Sequence, residues 1–387
     1  MNPCPVLVLT SSYPRFPGDW PGSFVQELTR LLKDDGHPVR VVAPCHLSAR
    51  DEAEVIRFPY PGHRSPDSLF YGMGAPEHLL RHPFAALATP SVLLSMAHVA
   101  ATAAASFPGG DRPVCVSHWL APSGLAGAWL KARGLVSRHV SIAHGSDVPL
   151  LCDLPLGSTL LSVLAGGCDA LLAVNHHLAL RLHDAVPPTC PVAVEPMGVE
   201  DLFSPLDISG LRRGLSLLFL GRVTDAKGRR VLMELATMDR LRLTVAGPID
   251  AEALRSLPTG VRCLGAVPTH ARRELFADHH ALLFPSISHE GAPRVVMESL
   301  SAGRPVVAWD LPWITPFVIH EHNGLLAPFG DVQALKAQVA RLATDPDLLR
   351  ELHQHARDNG RVHTWQARYP RLKGWILGPG HPKESLS

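Results

Sequence analysis

Ala281-Leu282-Leu283-Phe284-Pro285-Ser286-Ile287-Ser288-His289-Glu290-Gly291-Ala292-Pro293-Arg294-Val295-Val296-Met297-Glu298-Ser299-Leu300-Ser301-Ala302-Gly303-Arg304-Pro305-Val306-Val307 reads as strand, turn, helix and strand in immediate succession. The opening apolar run is short enough for a buried strand. Gly291 and Ala292 make a turn, and Pro293 suits the first helical position, where its missing N–H costs nothing. Gly303 and Pro305 predict the end of the helix. Glu290 then falls in the loop at a strand's carboxyl end, and Glu298 lies between one and two turns into the helix. A helix N-terminus placed there offers free N–H groups and a positive dipole end to an anion.

The same alternation extends in both directions. Candidate strands in the first half are Val6–Thr10, Val39–Ala43, Pro113–Ser117, His139–Ala143, Ala170–Val174 and Val192–Glu195. Helical patterns such as Gly22–Lys33 and Gly124–Ala132 fall between most of them. The pattern pauses over Gly198–Gly214 and restarts with Ser216–Leu220, Leu241–Ala246, Val261–Leu264, Ala281–Phe284 and Val306–Trp309. Continuous Val/Leu/Ile strands separated by helices predict parallel sheets covered on both faces. The expected fold class is therefore α/β, with two doubly wound, Rossmann-like parallel-sheet domains facing a cleft. We place the domains at 1–205 and 206–360, with a helical tail at 361–387 that crosses back to the N-terminal domain.

Composition narrows the functional classes. The chain has 387 residues, 46% hydrophobic and 18% charged, which is a globular profile. Its net charge of +1 gives no electrostatic case for nucleic acid. Residues 1–205 hold 13 Lys+Arg and 17 Asp+Glu, so the remainder holds 36 − 13 = 23 against 35 − 17 = 18. A basic second half suits an anionic ligand. Seven scattered cysteines with no Cys-x-x-Cys pair point to a reducing compartment. Pro3 and Pro5 replace the basic and apolar regions of a secretion signal, so we expect a cytoplasmic protein, with the inner face of the membrane as a secondary option. Phe84 to Phe107 is apolar but interrupted by Pro90 and His98. It reads as a buried or partly exposed helix, with weak peripheral membrane contact as the minority view.

Leu217-Leu218-Phe219-Leu220-Gly221-Arg222-Val223-Thr224-Asp225-Ala226-Lys227-Gly228 is a strand, a glycine turn and two cations at the mouth of a helix. Only six lysines stand among 387 residues, against thirty arginines. Lys227 in this loop is a candidate, with Arg222, for a diphosphate clamp.

The pairing of Gly-Arg-x4-Lys-Gly with Glu-x7-Glu resembles the retaining glycosyltransferases of family 4, which have the GT-B fold. Ser11-Ser12-Tyr13-Pro14 through Gly22-Ser23-Phe24-Val25 resembles that family's first loop and helix. His144-Gly145-Ser146-Asp147, Pro196-Met197-Gly198-Val199-Glu200-Asp201-Leu202-Phe203 and Asn323-Gly324-Leu325-Leu326 resemble later segments, in order. The resemblance implies that Arg222 and Lys227 bind the nucleotide diphosphate, Glu290 the donor sugar's hydroxyls and Glu298 the ribose. It implies that Gly221 and the backbone of Gly291, Ala292, Pro293 and Arg294 meet the donor, that Gly22 lets the first loop approach the phosphates, and that His144 sits near the transferred sugar. Gly-Ala-Pro-Arg after Glu290 departs from the family's common Gly-Phe-Gly, and Arg294 adds a cation.

Asp147 fits either a ligand contact or a helix cap, and His118 either the acceptor side or the interior. His176-His177 and His279-His280 are expected as helix or turn residues, and adjacent residues such as His320-Glu321-His322 do not face one way on a helix. No metal and no cofactor are expected, the donor being a substrate. The expected partners are a nucleotide sugar and a glycan, lipid or small-molecule acceptor, selected by residues 46–110. Alternatives are a nucleotide-sugar epimerase, a sugar phosphorylase or a non-catalytic nucleotide-sugar-binding protein of the same fold.

Overall fold

The computed structural model describes residues 3–65, 68–71, 78, 89–187, 189–209, 211, 214–288 and 290–378. The chain forms two compact units. One is Gly198–Arg368; the other runs to Met197 and resumes at Tyr369.

The first unit is built on β1 (Val6–Thr10), β2 (Val39–Pro44), β3 (Val55–Phe58), β4 (Val114–His118), β5 (Arg138–Ala143), β6 (Ala170–Ala173) and β7 (Val192–Val194). They lie in the order β3-β2-β1-β4-β5-β6-β7, and every pairing is parallel. The second unit uses β8 (Leu215–Leu220), β9 (Leu241–Ala246), β10 (Arg262–Gly265), β11 (Ala281–Phe284), β12 (Val306–Trp309) and β13 (Gly324–Ala327). Their order is β10-β9-β8-β11-β12-β13, again all parallel. Strands such as β1, β4, β11 and β12 are buried along their whole length, as expected where helices cover both faces of a sheet.

Each sheet order reverses once, between β1 and β4 in the first unit and between β8 and β11 in the second. A crevice opens beyond the carboxyl ends of the strands at such a switch point, and doubly wound sheets bind their ligands there.

β3 and β13 were not expected. β3 follows the charged run Asp51–Glu54, and β13 begins at Asn323-Gly324, which reads as a turn. Both are edge strands defined by a partner's register: β3 pairs Val55 with Val41, and β13 pairs Gly324 with Val306. Asn323 is fully buried and closes its turn with its own side chain. Its Oδ1 accepts from Ile319 N at 2.7 Å and its Nδ2 donates to Phe317 O at 2.9 Å. The helix after β11 spans Arg294–Ser301. Pro293 caps it from extended backbone (φ −69°, ψ 99°), one position before the helical first turn.

The apolar stretch near residue 90 is a helix over Thr89–Ala105, which buries Val92, Met96, Ala100, Ala103 and Ala104 and exposes Leu94. Residues 84–88 and part of the expected acceptor region lie outside the described residues. Among those described, no single helix is long and apolar enough to cross a membrane. The last helix is Trp365–Leu377. In the first unit, its Tyr369 hydroxyl donates to Asp35 at 2.6 Å, Lys373 pairs with Asp35 at 2.7 Å, and Arg371 meets the buried Glu195 at 3.0 Å.

Candidate functional site

The second switch point gathers the loops that follow β8 and β11. Gly228 adopts a left-handed conformation (φ 91°), and a Cβ there would lie 2.6 Å from the Pro285 ring, so the two loops touch backbone to backbone. Ile287 N donates to Ala226 O at 2.9 Å, and Ser288 Oγ to the same carbonyl at 3.2 Å. These bonds set Lys227 against the loop that carries Glu290, and their side chains form an ion pair. Ser286 Oγ donates to the same Glu290 oxygen at 3.0 Å. Lys227 keeps 32% side-chain exposure and Glu290 20%. An ammonium has three donors, so Lys227 can hold Glu290 and still offer hydrogens outward.

Arg222 follows the same strand end, where Gly221 N bonds to Ala246 O at 2.8 Å and Val223 N to Pro248 O at 3.1 Å. A Cβ on Gly247 (φ 136°) would collide with the Gly221 carbonyl. The steric demand for glycine therefore falls on Gly247, whereas a Cβ on Gly221 would meet nothing closer than the Phe219 ring at 3.8 Å.

Glu298 is 3% exposed. Two arginines bracket its Oε1: Arg272 in direct contact and Arg294 at 3.7 Å. Arg294 thus has a partner in the helix position four residues on. Arg272 opens the helix Arg272–Ala277 beyond β10; nothing in its local sequence distinguishes it from a surface arginine. No side chain caps the Arg294–Ser301 helix, which starts beside Gly291 and Ala292.

In the first unit, His118 ends β4 and His144 follows β5. Register places Thr10 beside His118, and His118 beside Ile142. His118 Nδ1 and His144 Nε2 lie 3.0 Å apart in one hydrogen bond, with the rings stacked 19° from parallel. Phe24 and Trp119 close on His144, with centroids at 4.9 Å and 4.8 Å. Trp119 takes a left-handed backbone (φ 67°), unusual for so bulky a residue. His118 is fully buried and His144 partly exposed, so of the two rings His144 is the one that solvent reaches.

Asp147 is buried, at the start of the helix Asp147–Asp153. Its carboxylate accepts from Gly145 N at 2.8 Å, His144 N at 3.1 Å and Leu120 N at 3.1 Å, which ties the ends of β4 and β5 together. Burial pushes its carboxyl above the usual range, against the lowering effect of those N–H groups. Gly22 (φ 68°) stands where a Cβ would collide with the Ser12 carbonyl, so chain packing alone requires a glycine there.

His176 and His177 lie in the helix His176–Ala185. His279 and His280 are buried and bonded to backbone, at Leu275 O and Ser216 N. His320, Glu321 and His322 turn to three separate partners: Leu326 N, Arg341 and the ring of His355.

These interior imidazoles have a measurable consequence. Burial pushes His118 down to about 3 and His139, held between Ser117 and Gly167, down to about 4. Below pH ~6.5 the unfolded chain takes up protons that the native fold refuses, so stability falls with pH. Each histidine costs up to about 1.4 kcal/mol per pH unit until its folded pKa is reached. His144, also held well down by burial, acts in the same direction. We expect the melting temperature to drop steeply between pH 6.5 and 5, above the carboxylate range. A flat profile across that window would show that these imidazoles are hydrated in solution.

Residues 214–345 match the family model described as glycosyl transferases group 1. WcaL of Escherichia coli K12, a putative colanic acid biosynthesis glycosyltransferase, is 27% identical over 266 residues, covering 63% of this chain and 65% of that protein. The chain spans 62–65% of the length of the first relatives it matches. Among solved structures, sucrose-phosphate synthase from Thermosynechococcus elongatus superposes with a TM-score of 0.74 at 17% identity, covering 96% of this chain and 97% of that one. HepE from Anabaena, in complex with UDP, gives 0.68 at 16%, covering 95% and 98%. The fold is GT-B, with two parallel-sheet α/β domains.

Proposed function

We propose that this chain moves a sugar from a nucleotide-diphosphate sugar to an acceptor hydroxyl, with retention of anomeric configuration, in the synthesis of a cell-envelope polysaccharide or glycolipid. The observation that carries this is the second switch point. There the packed β8 and β11 loops bring Lys227, Glu290 and an uncapped helix start to one sheet edge, with Arg222 on the same turn. Those cations and the dipole end neutralise a departing diphosphate without calling on a metal. Glu290, fixed by Lys227 and Ser286, offers a carboxylate oxygen to sugar hydroxyls. Glu298, held between Arg272 and Arg294, accepts from the ribose. The acceptor hydroxyl attacks from the face the diphosphate leaves, and a phosphate oxygen takes its proton. The E. coli relative named for colanic acid biosynthesis supports a polysaccharide product, and the UDP complex of HepE makes UDP-sugars the first donors to try.

Bound donor raises stability by mass action. One nucleotide series among UDP-, GDP- and ADP-sugars is therefore expected to raise the melting temperature, with labelled sugar then passing to an acceptor. Glu290→Gln should abolish donor use while its melting temperature without ligand stays near that of the parent. No stabilisation by any nucleotide sugar would end the proposal, and epimerised donor in the absence of acceptor would replace it with an isomerase.

A further inference from the structure

We infer that His118 is a positioning residue that fixes the tautomer of its neighbour, so that His144 meets the substrate as an Nδ1–H hydrogen-bond donor. This rests on the proposal above that the chain binds a nucleotide sugar, and on the expectation carried by the family resemblance that His144 sits near the transferred sugar.

The starting point is a count of hydrogens. The 3.0 Å contact joins His118 Nδ1 to His144 Nε2, and a hydrogen bond between two neutral rings needs one hydrogen between them. If His144 Nε2 supplied it, His118 Nδ1 would be the bare acceptor and His118 would carry its own hydrogen on Nε2. That atom is buried and has no partner. A buried N–H with nothing to bond costs its full desolvation penalty, and orphaned donors are rarer than orphaned acceptors. The other arrangement leaves only a lone pair unsatisfied. His118 Nδ1–H therefore donates, His144 Nε2 accepts, and the hydrogen of His144 sits on Nδ1. Among the described residues, nothing in the protein bonds to that nitrogen.

The surroundings keep this arrangement in place. Asp147 is the carboxylate bonded beside the pair among the described residues, and its oxygens are taken by the N–H groups of Leu120, His144 and Gly145. No cation is bonded to either ring among the described residues. Phe24 and Trp119 pack on His144 and limit its rotation. His144 consequently has no lone pair free at its exposed side. It can hold an electron-rich oxygen of the substrate but cannot take a proton from an acceptor hydroxyl, which leaves that task to the phosphate oxygen.

The test is long-range 1H–15N correlation on the full chain labelled with [15N]histidine, with His144 assigned by its loss in His144→Gln. The expected spectrum at pH 7.5 shows His144 protonated on Nδ1 and bare on Nε2. His118→Phe should release it to a mixed or Nε2–H state and lower kcat roughly 10-fold, while donor-induced stabilisation is retained. An Nε2–H signal in the parent protein overturns the inference, and the parent spectrum decides this even if the variant does not fold. An unchanged His144 signal in a folded His118→Phe protein, or an unchanged kcat, overturns it as well. Failure of the underlying proposal looks different: no nucleotide sugar stabilises the parent, whatever the tautomer.

Discussion

Lys227→Ala is expected to lower the rate of sugar transfer by at least ~10²-fold, the usual loss when one group that stabilises developing charge is removed. The diphosphate gains charge as the glycosidic bond breaks, and the β8 loop fixes Lys227 beside Glu290. That preorganisation makes the ammonium worth more to the transition state than to the ground state. The fold should not suffer comparably. The pair is 32% and 20% exposed, and partly exposed ion pairs contribute ~1 kcal/mol or less. Lys227→Arg keeps the charge but replaces a compact three-donor head with a planar fork, so it should recover only part of the loss. The measurements are labelled-sugar transfer at saturating donor and a thermal melt of each variant. Transfer that survives in a folded Lys227→Ala protein would move the diphosphate away from this loop.

Much of this arrangement was legible because it follows from local patterns. Apolar runs of four to six residues between helices predicted the parallel sheets, and the glycine turn after Leu220 and the Glu290 loop after Phe284 were placed at strand ends correctly. Parts whose cause is tertiary were not legible. β3 and β13 are edge strands, and their short, turn-like sequences become strands only beside β2 and β12. Glu290 and Glu298 each take one partner from nearby in the chain, Ser286 and Arg294, but Arg272 lies in another helix, 26 residues from Glu298. His118 and His144 each directly follow a predicted strand, Pro113–Ser117 and His139–Ala143, yet their pairing depends on β4 lying next to β5. Gly22 was expected to serve a ligand, and the fold shows that packing on Ser12 alone demands it.

Arg304→Ala is expected to unfold the second unit or nearly so. The side chain is fully buried, and among the described residues no carboxylate is bonded to it. Burial lowers its guanidinium only to about 10, so the charge persists at neutral pH. Six carbonyl oxygens answer it instead: Phe276, Ala277, His279, Ala302, Ser204 and Pro205, at 2.7 to 3.3 Å. Phe276 and Ala277 end the helix that begins at Arg272, and Ala302 closes the helix that begins at Arg294. Arg304 thus faces two negative helix ends and the segment that leads into β8, which explains a buried cation without an anion. Alanine would leave a void and several orphaned carbonyls at ~1–3 kcal/mol each, together comparable with the ~5–15 kcal/mol that holds a whole domain. Lysine has a single head with three donors where the guanidinium has five, so Arg304→Lys should fold with a lowered melting temperature. It should also lose activity, because the opposite ends of the same two helices carry Arg272 and Arg294, the residues that grip Glu298. Urea unfolding of both variants measures the first effect and donor affinity of Arg304→Lys the second. An Arg304→Ala protein as stable as its parent would mean that water satisfies those carbonyls. An Arg304→Lys protein with weakened folding but full donor affinity would uncouple the anchor from the Glu298 cluster.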